Sequence, residues 1–176
     1  MIGDEALRRL IAGRWLIPLM AVLDEGGGAR FAAMLARLGL PRSTLATSLA
    51  QLEAAGWLAR NPGHGHPLRP EYVLTGAGAP VAAFCARVMA GRERLGLEPG
   101  QMPRWSLPVV ARLREAPARF TALRGALTPV TPRALSLTLK QMLATDLVSR
   151  ALEDDFPPVP IYGLTGRGEE LAAALR

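Results

Sequence analysis

Apolar positions along the chain fall into short blocks separated by glycine and proline. Residues 15–23, from Trp15 to Leu23, form a continuous apolar block, as expected of a helix packed in a core. Gly26-Gly27-Gly28 then breaks the pattern and reads as a flexible turn. Phe31, Met34, Leu35 and Leu38 recur at helical spacing and predict a short amphipathic helix. After a turn at Gly39-Leu40-Pro41, Leu45, Leu49 and Leu52 mark the buried stripe of a third helix over about 42–55. Gly56 ends it. A short strand follows at 57–60, then a loop at 61–70 rich in Gly, Pro and His, then a roughly alternating strand at 71–74. Thr75 caps a helix that runs through Val81, Phe84 and Val88. The order helix, helix, turn, helix, strand, loop, strand, helix is that of a winged helix-turn-helix. Two strands cannot stand alone, so this wing is expected to pack on the helices.

The pattern occurs twice. Arg14-Trp15 matches Arg104-Trp105, an offset of 90, and Pro18, Ala21 and Leu23 match Pro108, Ala111 and Leu113. Leu45, Leu49 and Gln51 match Leu135, Leu139 and Gln141; Arg60 matches Arg150; Pro67, Pro70 and Tyr72 match Pro157, Pro160 and Tyr162. Leu74-Thr75-Gly76 and Gly78 match Leu164-Thr165-Gly166 and Gly168. Arg30-Phe31 matches Arg119-Phe120 one residue out of step, so one loop differs in length. In the second copy the same reading gives helices at 105–113, 119–127 and 132–145, strands at 147–152 and 160–164, and a short helix to Arg176. Each copy is long enough for its own core, which favours a duplicated domain over a solenoid. The fold class is therefore mainly α with small β wings: two tandem winged helix-turn-helix domains, 1–95 with a linking helix, and 96–176. The polar stretch 91–103 is expected to be a helix end and a short connector.

Composition narrows the chemistry. The 176 residues carry a net charge of +6, and Lys140 is the only lysine among the basic residues. The excess is shared equally by the two copies, which favours phosphate-bearing partners over a basic tail. Cys85 is the only cysteine, so an internal disulfide and a cysteine-based zinc cluster are excluded, and a reducing cytoplasm fits. Its apolar neighbours Val81, Ala82, Phe84 and Val88 mark it as a small buried residue. Arg8-Arg9 followed by an apolar stretch imitates a signal peptide. Asp4 and Glu5 precede it, however, and the same stretch recurs in mid-chain. No run reaches the roughly 20 apolar residues of a membrane span.

The third helices hold the candidate reading residues. In the first copy these are Arg42, Ser43, Thr44, Thr47, Ser48 and Gln51; in the second they are Arg133, Ser136, Lys140 and Gln141. Arginine suits guanine and glutamine suits adenine in a major groove, whereas the bland alternative is a solvated helix face. Arg30 and Arg119 stand at the start of the second helix, where backbone amides also attract phosphate. Arg60, His64, His66 and Arg69 in the first wing, and Arg150 in the second, are candidates to touch DNA, the alternative being a plain flexible loop. His64 and His66 lack a third ligand, so no metal is expected. The second wing contains Glu153-Asp154-Asp155, which phosphate repels, so the copies are not equivalent. Neither glycine-rich segment has the spacing of a phosphate loop or a dinucleotide motif. No nucleophile and base can be paired, so neither an enzyme nor a cofactor is expected.

Gly13-Arg14-Trp15, Arg30-Phe31, Leu45, Leu49, Leu52 and Gly56, then Glu71-Tyr72-Val73-Leu74-Thr75 and Gly78, together resemble the HxlR family of winged-helix transcription regulators, relatives of the MarR group. Arg104-Trp105, Arg119-Phe120, Leu135, Leu139, Tyr162, Leu164-Thr165 and Gly168 repeat the likeness. The resemblance implies a bacterial, double-stranded-DNA-binding regulator with its third helix in the major groove. Members are typically single-unit homodimers on inverted repeats. This chain departs in carrying two units, in lacking a cysteine shortly before Gly13-Arg14-Trp15, and in having Asp146 and Ile161 where the first copy has Gly56 and Glu71. One chain then acts as a covalent pseudo-dimer on unequal half-sites, with reading helices roughly 34 Å apart. Pairing is expected through the helix over about 78–94 and an N-terminal helix over 4–11, and further homodimerisation is compatible with the sequence. The reading from another class is a winged-helix protein-interaction module without DNA reading. The sequence names no small-molecule effector.

Overall fold

The structure is a computed structural model and describes residues 2–61, 71–153 and 158–176. The chain divides into two compact units, Met1–Met89 and Ala90–Arg176.

In the first unit, α1 (Asp4–Leu10), α2 (Leu16–Gly26), α3 (Phe31–Leu38) and α4 (Arg42–Ala54) precede the wing strands β2 (Leu58–Asn61) and β3 (Glu71–Leu74). A strand that periodicity does not announce, β1 (Gly28–Arg30), lies between α2 and α3. Helix α5 (Gly78–Arg94) follows the wing, and the boundary between units falls within it. The core is mostly aliphatic, with one phenylalanine: Leu10, Leu19, Met20, Leu23, Met34, Leu45, Leu49, Leu52 and Phe84 are buried, each contributing about 1.5–3 kcal/mol relative to an exposed side chain.

The second unit repeats the plan. After a 3-10 turn at Pro99–Gln101 come α6 (Ser106–Leu113), β4 (Ala118–Arg119), α7 (Phe120–Ala126) and α8 (Pro132–Ala144). Strands β5 (Val148–Glu153) and β6 (Val159–Leu164) and helix α9 (Gly166–Ala173) complete it. Its core is built on Val109, Val110, Leu123, Leu135, Leu139, Met142, Leu147 and Leu171.

Two expectations are corrected. The wings are not two-stranded: each sheet has three antiparallel strands, in the order β1-β3-β2 and β4-β6-β5. Ala29 pairs with Tyr72 and Ala118 with Tyr162, so the short strand before the second helix ties the wing to the helical layer. The triple glycine is not a loose turn. Gly26 is the last residue of α2, Gly27 closes it in the left-handed conformation (φ +66°), and Gly28 opens β1. The stretch 91–103 is, as expected, the end of α5 followed by a short connector, and that connector is packed onto its unit. Leu95 and Leu97 are buried, and the Arg167 guanidinium of α9 donates to the Leu95 carbonyl at 2.9 Å. Among the described residues no helix is long and apolar enough to cross a membrane.

Candidate nucleic-acid interface

Helix α4 has four inward positions, Leu45, Ser48, Leu49 and Leu52, all buried. Helix α8 has the equivalent four, Leu135, Thr138, Leu139 and Met142. From 41 to 50 and from 131 to 140 the sequence of buried, half-buried and exposed positions is the same residue for residue. Both helices are thus set into their units at the same rotation, and the duplication governs which side chains face outward.

On α4, Arg42, Ser43, Thr47 and Gln51 are exposed and Thr44 is half-buried. Ser48 is a correction: it is only 6% exposed, at the edge of the leucine arc, and does not belong to the outward face. The Arg42 guanidinium lies over the Phe31 ring of α3, 5.5 Å from its centroid, a cation–π contact that steadies the turn between the two helices. Gln51 stands beside Gly13, where an added β-carbon would be 3.0 Å from its Oε1. It helps line a cavity of about 280 Å³ with Arg9, Ala12, Leu16 and Trp57, towards the N-terminal elements of the unit.

On α8, Arg133, Ser136 and Lys140 are exposed and Gln141 is half-buried. The helix has a side-chain cap that α4 lacks. Thr131 Oγ1 accepts from the Ala134 N–H at 3.2 Å, whereas the corresponding Pro41 makes no such bond. Sequence reasoning missed Leu137, which stands among the polar residues of this face and is 56% exposed. The signal was present: Leu137 is out of phase with the Leu135, Leu139 and Met142 stripe.

Arg30 and Arg119 each end a short strand and occupy the N-cap positions of α3 and α7, Arg30 exposed and Arg119 half-buried. Arg30 pairs in register with Glu71, and Arg119 with Ile161. Arg60 and Arg150 are exposed on the first wing strand of each unit, opposite Tyr72 and Tyr162. His64, His66, Arg69 and the acidic Asp154 and Asp155 lie outside the described residues. The other predicted cations of each unit lie at the start of α3 or α7, on α4 or α8, and on the first wing strand.

The two Arg-Trp pairs that anchor the repeat have a local role. Arg14 lies over Trp15 at 5.3 Å from the ring centroid and Arg104 over Trp105 at 5.8 Å, just ahead of α2 and α6. Among the described residues no group of three His, Cys, Asp or Glu could hold a metal ion.

No curated protein is similar enough to the chain to count as a match. Among solved structures, it is similar to one described as a transcriptional regulator of the MarR family from Enterococcus faecalis V583. The identity is 27%, over 50% of this chain and 74% of that one, with a TM-score of 0.41. The family model described as HxlR-like helix-turn-helix matches twice, at residues 10–94 and 102–176. The chain therefore belongs to the HxlR-like helix-turn-helix family of transcription regulators, as a tandem duplication of the family's domain.

Proposed function

We propose that the chain is a sequence-specific, double-stranded-DNA-binding transcription regulator in which α4 and α8 are two non-identical recognition helices. The observation that carries this reading is the matched setting of the two helices. Their inward positions coincide, while Arg42, Ser43 and Thr47 on one and Arg133, Ser136 and Lys140 on the other face outward. Arginine and polar side chains on such a face read base edges, and Arg30, Arg60, Arg119 and Arg150 hold phosphates. The net charge of +6 gives the non-specific attraction that precedes reading. One chain then acts as a covalent pseudo-dimer in the cytoplasm and selects unequal half-sites rather than a perfect palindrome.

The test is selection of bound sites from random duplexes by the full chain, followed by a salt titration on the enriched site. Enrichment of particular sequences, with log affinity falling linearly in log salt at about 0.9 per phosphate contact, supports the reading. Absence of binding at low salt overturns it. Stoichiometry by sedimentation of the complex separates one chain per site, as the pseudo-dimer requires, from two.

A further inference from the structure

The outward faces of α4 and α8 differ at the positions that the repeat makes equivalent. The centre of α4 is small and uncharged, with Ser43, Ala46, Thr47 and Ala50; α8 has Arg133, Ser136, Leu137 and Lys140 there. Leu137 is 56% exposed, whereas most leucines among the described residues are buried. Arg133 lies four residues before it and Lys140 three after, so the three side chains share one side of the helix. Both cations are exposed, and among the described residues no carboxylate forms a salt bridge with either.

Among the described residues, the other large exposed apolar side chains are placed differently. Leu143, 37% exposed, is six residues further along α8, about 9 Å down the axis and about 120° around it. Leu152 is on the wing strand β5. Leu137 alone stands in the first two turns of α8, the part of a recognition helix that meets base edges. Two cations flanking an apolar side chain complement a surface with anionic rims and an apolar spot between them. A major groove is such a surface: phosphates border it, and the thymine C5-methyl is the apolar group on its floor.

We propose that Leu137 is a specificity-determining residue that contacts the C5-methyl of a thymine in the half-site under α8. The inference rests on the DNA-reading function above. It also separates the two units, because Thr47 holds the equivalent place on α4 with a smaller, partly polar side chain.

The experiment replaces each thymine of the selected duplex, one at a time, by deoxyuridine, which keeps every hydrogen-bonding group and removes only the methyl. With the full chain, one thymine is expected to respond with about fourfold weaker binding, the equivalent of one buried methylene. Leu137→Ala should bind the thymine and uracil duplexes equally. Leu137→Met, which keeps an apolar side chain, and Thr47→Ala should both retain the response. The inference is overturned if no thymine responds, if Leu137→Ala responds as the unsubstituted chain does, or if Leu137→Ala alters self-association and leaves DNA binding unchanged. Binding without any methyl response sinks this inference alone; failure to bind any duplex sinks it together with the DNA-reading function.

Discussion

Gly78 passes directly beneath the carbonyl of Trp57: a β-carbon added to Gly78 would stand 1.9 Å from the Trp57 oxygen. The second unit repeats the relationship, with Gly168 beneath Leu147 at 2.0 Å. In each unit the helix after the wing starts against the residue that links α4 or α8 to the first wing strand, with no room for a side chain between the two backbones. Gly78→Ala and Gly168→Ala are expected to cost at least about 3 kcal/mol, because backbone must move. Gly76→Ala, where nothing lies within 4 Å, is expected to stay within about 0.5 kcal/mol of the parent. Urea unfolding of the three variants distinguishes a steric requirement from a loss of glycine flexibility.

Next to that contact, the Thr75 hydroxyl donates to the Gly56 carbonyl at 2.7 Å, and its oxygen accepts from the Gly78 N–H at 3.0 Å. Thr165 does the same with Asp146 and Gly168. Gly56 is left-handed (φ +75°), and so is Asp146 (φ +54°), the one non-glycine residue of the described chain with positive φ. Asp146→Gly relieves a conformation that costs an L-residue about 1 kcal/mol and leaves the bond from Thr165 to the carbonyl intact. Because glycine adds about 0.4–1 kcal/mol of unfolded-chain entropy, the net gain is small, and the variant's melting midpoint, measured by calorimetry, is expected to rise by no more than about 4 °C. Gly56→Asp should lower the midpoint of the first unit.

Cys85 is buried in α5, and burial, reinforced by the negative charge of Asp24 and opposed by Arg87, pushes its thiol well above the ordinary range. The folded chain therefore holds a proton that the unfolded chain releases once pH passes the usual thiol value of about 8.5. Fewer protons on the unfolded state mean that stability falls as pH rises. Denaturation between pH 7 and 10 is expected to show a steeper loss for the parent than for Cys85→Ala. Thiol alkylation at neutral pH should require unfolding, and modification of the native chain at the rate of a free thiol would contradict this placement.

Lys140→Ala is expected to lower the slope of log affinity against log salt by about 0.9 and to weaken binding to all duplexes alike. Arg42→Ala should do more, because it also removes the contact with Phe31, worth about 0.5–1 kcal/mol at an exposed site. Phe31→Leu isolates that part: it should lower thermal stability while leaving the salt slope unchanged.

Long elements were legible because their periodicity is enforced by burial. Leu45, Leu49 and Leu52 fixed α4, and the offset to Leu135 and Leu139 fixed α8. Strands β1 and β4 were not legible, being too short for any period and created by pairing with β3 and β6. Ser48 was placed outward because a hydroxyl next to a leucine arc looks polar. Its equivalent Thr138 shows how such a position is accommodated, buried and donating to the Ala134 carbonyl four residues back at 2.8 Å. Leu137 was passed over because outward positions were sought among polar residue types, although its phase relative to Leu135, Leu139 and Met142 points outward.

The matched setting of α4 and α8 has a consequence for orientation. A pair of identical reading heads related by a twofold axis meets the same contacts when the duplex is turned end for end. Here Ser43 and Thr47 face outward from one head and Arg133 and Leu137 from the other. If both heads read one duplex, as proposed, turning the duplex exchanges their partners; a target site then has a polarity, and the protein bound to it a front and a back along the DNA.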